Sequence, residues 1–73
     1  MLNLGKLQYE AVESGIGEIS GCDHLTNDQI QSKISNYIYR CERKLENLGY
    51  SLTVIETVTD YATSELQLTF LND

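Results

Sequence analysis

The chain has 73 residues, enough for one domain with a modest hydrophobic core. A hydrophobic share of 41% and the lack of proline argue against a linker or a disordered tail. The formal net charge of −6 makes nucleic acid and anionic membranes poor partners, because their own negative charge repels an acidic protein. No stretch approaches the length of a membrane span, and the N-terminus lacks the apolar run of a signal peptide. We therefore expect a cytoplasmic protein.

The first third of the chain predicts one or two β-strands. Apolar residues alternate with polar ones from Leu2, the phase slips near Gly5, and the alternation then resumes. Two arrangements are open for the residues after this slip. Residues 6–13 and 16–20 form a hairpin across the intervening Ser-Gly pair, or a single strand is followed by a loop that leads to the next element.

Three glycines, Gly15, Gly17 and Gly21, precede a Cys-Asp-His segment, residues 22–24. Their spacing differs from the G-x-G-x-x-G of a dinucleotide loop, and the acidic residues nearby would repel phosphate, so the glycines predict turns. The segment has too few ligands for a structural zinc site and no group that would orient a catalytic cysteine–histidine pair. The second cysteine, Cys41, is expected to stay unpaired because no export signal is present. We predict no catalytic residue, no metal and no cofactor.

The clearest element is a long amphipathic helix, predicted from Asn27 to Leu48. Thr26 is the expected N-cap, and Gln29 three residues later completes a capping box. At the other end, Gly49 suits the left-handed residue that follows a helix. Seven residues form one apolar stripe that must pack on another element: Ile30, Ile34, Tyr37, Ile38, Cys41, Leu45 and Leu48.

After this helix the period of the apolar residues changes from 3.6 to 2, which predicts a β-hairpin. Leu52, Val54 and Val58 alternate with polar residues, and a second run from Leu66 to Phe70 alternates in the same way. The polar segment TDYAT between the two runs has the length of a hairpin connection. The whole chain, residues 1–73, is predicted as one α+β domain. In it a small antiparallel sheet of three to four strands packs against one long helix, in the order β-(β)-α-β-β.

Ten residues form the candidate interaction surface, because charged and aromatic side chains outside the core are the ones available to a partner. The polar face of the long helix contributes an aromatic and basic group, and two acidic groups lie elsewhere. The basic group is Tyr39, Arg40 and Arg43. The acidic groups are Glu10, Glu13 and Glu18 on one side, and Glu56, Asp60 and Glu65 around the predicted hairpin with Tyr61 at its turn.

We therefore expect a non-enzymatic protein-binding module of the inhibitor or adaptor kind. Its acidic groups would engage a basic protein surface, including one that normally holds nucleic acid. Small acidic proteins of this kind are often carried by phages and other mobile elements. A homodimer is expected, joined by an unpaired edge strand or by an uncovered part of the long helix. Two alternatives stay open. One is a binder of an anionic nucleotide or metabolite at a dimer groove lined by Tyr39, Arg40 and Arg43, and the other is a structural subunit of a larger assembly.

Overall fold

The computed structural model describes residues 3–21 and 24–71, which form three helices and no strand. Helix α1 spans Leu4–Ile19, α2 spans Asn27–Asn47 and α3 spans Leu52–Phe70. Both α1 and α2 pack along α3, and they contact each other less than either contacts α3. The predicted α+β class and its antiparallel sheet are therefore wrong, and the domain is all-α.

Two apolar clusters fill the bundle, one at each end. The closed end holds the last turn of α1, the first half of α2 and the last third of α3, with Ile19, Ile30, Ile34, Tyr37 and Leu66 buried. The open end holds the first half of α1, the last turn of α2 and the first third of α3, with Leu45, Ile55 and Val58 buried. This distribution shows that the three helices run up, down and up, so α1 is parallel to α3.

The long helix is confirmed, with its predicted cap at each end. The hydroxyl of Thr26 accepts the backbone N–H of Gln29 at 3.3 Å, and the Gln29 side chain accepts the N–H of Thr26 at 2.9 Å. At the C-terminus Gly49 has a φ of +90°, and the N–H of Tyr50 donates to the carbonyl of Leu45 at 3.2 Å. This pattern ends a helix because a left-handed residue turns the chain back onto its last carbonyls.

The apolar stripe of α2 is largely buried, as the helical spacing predicts. Four of its seven residues are buried and Ile38 and Cys41 are half-buried, whereas Leu48 at the end of the stripe is 63% exposed. Cys41 packs against the closed-end cluster, so its side chain acts there as a small apolar group.

The predicted C-terminal hairpin is wrong, because residues 52–70 form the single helix α3. Ser51 caps it, since its hydroxyl accepts the N–H of Val54 at 3.3 Å. The segment contains no glycine or proline to interrupt a helix. Its apolar residues fit a helical spacing as well as an alternating one. Leu52 and Leu68, which a hairpin would bury, are 68% and 62% exposed.

The alternation of threonines with apolar residues misled the prediction for this segment, because it matches the period of a strand. Four of the five threonines of α3 instead donate their hydroxyl to the backbone carbonyl four residues earlier, at 2.7–2.9 Å. The hydroxyl is thereby satisfied inside the helix, even where the side chain is buried as at Thr59.

The predicted N-terminal strands are wrong in both of their arrangements, because residues 4–19 form α1. Asn3 caps this helix by accepting the N–H of Lys6 at 3.0 Å. Gly15 and Gly17 lie inside α1 and make no turn. Gly21, just after the helix, has a φ of +90° and is the only one of the three glycines with turn geometry.

Gly15 is buried where the three helices meet. A Cβ at this position would lie 2.8 Å from a methyl carbon of Leu66 and 2.8 Å from a ring carbon of Tyr37, closer than carbon atoms approach. A Cβ at Gly17, by contrast, would have no atom within 4 Å. The absence of a side chain at Gly15 therefore allows α1 to approach both other helices at the closed end.

Candidate binding groove and charged faces

A groove of about 400 Å³ lies between α1 and α2 toward the open end. Its apolar lining consists mainly of Leu7 and Ala11 from α1, Leu45 from α2, Leu48 just beyond it and Val58 from α3. It forms because α1 and α2 both use their apolar faces against α3 and leave a gap between themselves. A concave apolar site of this volume lies within the range that small ligands occupy.

Tyr37 bounds the groove at its inner end. Its hydroxyl donates a hydrogen bond across the gap to the backbone carbonyl of Ala11, which ties α2 to α1. Burial raises the pKa of Tyr37, so the phenol stays protonated and able to donate at physiological pH. Within the described part of the chain, no buried side-chain nitrogen or oxygen lacks a hydrogen-bond partner. Polar groups that could meet a ligand therefore lie at the rim of the groove.

The rim carries Glu10 from α1 and two cations from α2, Arg40 and Lys44. Arg40 pairs with Glu18 through two hydrogen bonds, one of 2.9 Å between Nη1 and Oε1 and a second to the other carboxylate oxygen. This hydrogen bonding holds the pKa of Glu18 below its usual value. The two side chains are 60% and 38% exposed, so solvent screens the pair and its contribution to stability is small.

The predicted basic group makes two separate sets of contacts. Tyr39 and Arg43 lie together on the exposed side, where Nη1 of Arg43 donates to the Tyr39 hydroxyl at 3.0 Å and the guanidinium carbon lies 5.8 Å from the ring centre. Arg40 instead turns toward α1 and Glu18. Arg40 is therefore already paired with a carboxylate of its own chain, whereas Tyr39 and Arg43 bind each other.

The predicted acidic group on α1 is only partly unpaired. Glu10 and Glu13 are both exposed and lie about 60° apart around the helix, and Glu10 also lies at the rim of the groove. Glu18, the third carboxylate, is neutralised by Arg40.

The acidic residues of α3 form a more continuous surface. Glu56 and Asp60 are exposed one turn apart, and at 100° per residue they share an arc of about 140° with Tyr61 and Leu68. Tyr61 is 43% and Leu68 62% exposed. We call these four residues the α3 outer face. Glu65 is half-buried on another side of the helix and does not belong to it.

The segment between α1 and α2 is described only in part. Cys22 and Asp23 lie outside the described residues, so the metal, nucleophile and disulfide predictions for them stay untested, and His24 is exposed. Within residues 3–21 and 24–71, no group of three or more His, Cys, Asp or Glu side chains could hold a metal ion. Over the same ranges, no helix has both the length and the apolarity needed to cross a bilayer.

The groove was missed by sequence reasoning because α1 was predicted as strand. One signal was available: Leu4, Leu7 and Ala11 follow a helical spacing after the capping residue Asn3. No protein-family model, curated protein or solved structure matches this chain.

Proposed function

We propose that the protein is a non-enzymatic protein-binding module that engages a basic surface of its partner through the α3 outer face. The observation that carries this proposal is the composition of that face. It combines two exposed carboxylates with an exposed tyrosine and leucine, and the sequence from residue 51 to residue 71 contains no lysine, arginine or histidine.

The chemistry of this face suits a basic partner. Tyr61 and Leu68 provide apolar area for contact, and Glu56 and Asp60 beside them provide charge that selects a cationic surface. The net charge of −6 supports the same partner, because the field of the whole molecule attracts basic proteins and speeds their approach. Association of this kind weakens as salt screens the charges.

Other features of the predicted function stay predictions. The homodimer is one, although its proposed edge-strand contact is wrong because the described residues contain no strand. The cytoplasmic location and the role as a structural subunit are two more. The nucleotide or metabolite site at a dimer groove lined by Tyr39, Arg40 and Arg43 also stays a prediction, and in the single chain Arg40 is paired with Glu18.

The test is affinity capture from the source cell with the full chain as bait, at low and at high salt, followed by titration of the purified captured protein. We expect capture at low salt and its loss at high salt. The double charge reversal Glu56→Lys/Asp60→Lys should abolish capture, because it places cations on the face that binds a cationic surface.

The matched control is Glu13→Lys/Glu46→Lys, which changes the net charge equally but alters exposed positions on α1 and α2. This control should bind better than the α3 variant. The variant Tyr39→Ala/Arg43→Ala, which removes the exposed pair on α2, should bind normally. Equal loss of binding in both charge-reversal variants, or capture that is independent of salt, contradicts the proposal.

A further inference from the structure

We propose that the groove between α1 and α2 binds a small amphipathic anion, an alkyl chain that ends in a carboxylate. The chain would lie on the apolar lining, and the carboxylate would bind Lys44 at the rim. This site is separate from the α3 outer face, and it does not depend on the function proposed there.

The dimensions of the groove suit an alkyl chain. Its lining on α1 extends from Leu7 to Ser14, which is about 10 Å at 1.5 Å per residue. A volume of about 400 Å³ over that length gives a cross-section of about 40 Å². An α-helix with its side chains is about 10–12 Å across and would not fit, whereas an extended hydrocarbon chain would.

The chemistry of the lining suits the same ligand. Leu7, Ala11, Leu45 and Val58 offer carbon surface, and the nearest buried hydroxyl, that of Tyr37, already donates to a backbone carbonyl. An apolar chain therefore leaves no buried polar group of the lining unsatisfied. A polar or sugar-containing ligand would find few hydrogen-bond partners inside the groove.

Lys44 is the group at the rim that would bind an anion. The charged lining residues are Arg40, Lys44 and Glu10, and Arg40 is already paired with Glu18. Among the described residues the only ion pair is Arg40 with Glu18, so Lys44 has no carboxylate partner there. A ligand carboxylate would supply that partner, and the aliphatic part of Lys44 would extend the apolar lining.

The test uses decanoate and decyltrimethylammonium below the concentrations at which they form micelles, and decanol below its solubility in water. Affinity is measured by calorimetry, and the site is located by amide chemical-shift changes in the intact chain. We expect decanoate to bind more tightly than decanol, decyltrimethylammonium to bind most weakly, and the largest shifts to fall on residues that line the groove.

Lys44→Met keeps the length and apolar character of the side chain and removes its charge. It should weaken decanoate binding by about three- to tenfold, which corresponds to up to about 1.4 kcal/mol, and leave decanol binding unchanged. Lys33→Met is the matched control, because it removes an exposed charge from the same helix at a position outside the groove. It should leave the binding of both ligands unchanged.

Three results would overturn the proposal. The first is equal affinity for decanoate and decanol, and the second is an equal effect of Lys44→Met and Lys33→Met on decanoate binding. The third is the absence of chemical-shift changes in the groove with any of the three compounds. Circular dichroism of both variants shows whether they retain the helical fold.

Discussion

The two ends of the bundle are built from similar apolar residues but differ in how closely α1 and α2 approach. At the closed end, Gly15 removes a side chain and Tyr37 and Leu66 pack into the space. At the open end the corresponding position one turn earlier on α1 is Ala11, and a groove remains beside it. The two ends therefore differ at this crossing by the side chain on α1, and we expect the closest side chain at a helix crossing to decide how near two helices approach.

The largest effect is expected when a leucine side chain is truncated to alanine at each end of the bundle. Leu66→Ala removes a fully buried side chain at the closed end and should lower the free energy of unfolding by about 2–5 kcal/mol. Leu7→Ala, at a half-buried position that lines the groove, should cost only about 1–2 kcal/mol. Urea denaturation measures both values. The exposed control Leu68→Ala should change stability by less than about 0.5 kcal/mol, and similar losses at Leu66 and Leu7 would remove the distinction between the ends.

An intermediate effect is expected when a leucine is placed on α1 either at the closed end or beside the groove. Gly15→Leu should destabilise the protein by about 1–3 kcal/mol, because the new side chain overlaps Leu66 and Tyr37. Ala11→Leu extends into the groove and should change stability by less than about 1 kcal/mol.

The control for helix propensity in this experiment is Gly17→Leu. No atom lies within 4 Å of a Cβ at Gly17, so the substitution should stabilise the helix by roughly 0.5–1 kcal/mol. Thermal and urea unfolding of the three variants test the order. If Gly15→Leu is as stable as Ala11→Leu, the absence of a side chain at Gly15 is not what allows the helices to approach at the closed end.

The smallest effect concerns the Arg40–Glu18 pair, which joins α1 to α2. The pKa of Glu18 is lower in the folded protein than its ordinary value because Arg40 donates hydrogen bonds to it. A carboxylate with a lowered pKa stabilises the folded state at pH values above its unfolded pKa, and this contribution is lost as the pH falls through the folded pKa. Glu18→Gln should therefore lower stability slightly at about pH 7 and have no effect at a pH well below the folded pKa of Glu18.

The measurement for this pair is the difference in unfolding midpoint between wild type and Glu18→Gln, from about pH 7 down to a pH well below the folded pKa of Glu18. Glu13→Gln is the control, because Glu13 is exposed and forms no ion pair with another described residue. A Glu18→Gln effect that persists unchanged at low pH would show that the charge pair does not connect the two helices.

The candidate surfaces were predictable only in part from the sequence. Exposure of Tyr39 and Arg43 follows from their position opposite the apolar stripe of α2, and the structure has them on that side. The pairing of Arg40 with Glu18 joins residues 22 positions apart, and no local pattern predicts such a contact. The groove depends on the same long-range packing of α1 and α2.

The sequence by itself determined α2, because its capping box, its glycine stop and its apolar stripe are local signals that agree with one another. It did not determine α1 and α3, where the glycines indicated turns, β-branched residues favoured strands and the apolar spacing allowed either period. The tertiary structure decided those elements. Burial of Ile55, Val58 and Leu66 against α1 and α2 outweighs the small strand preference of single residues, because each buried side chain contributes more free energy than its intrinsic propensity.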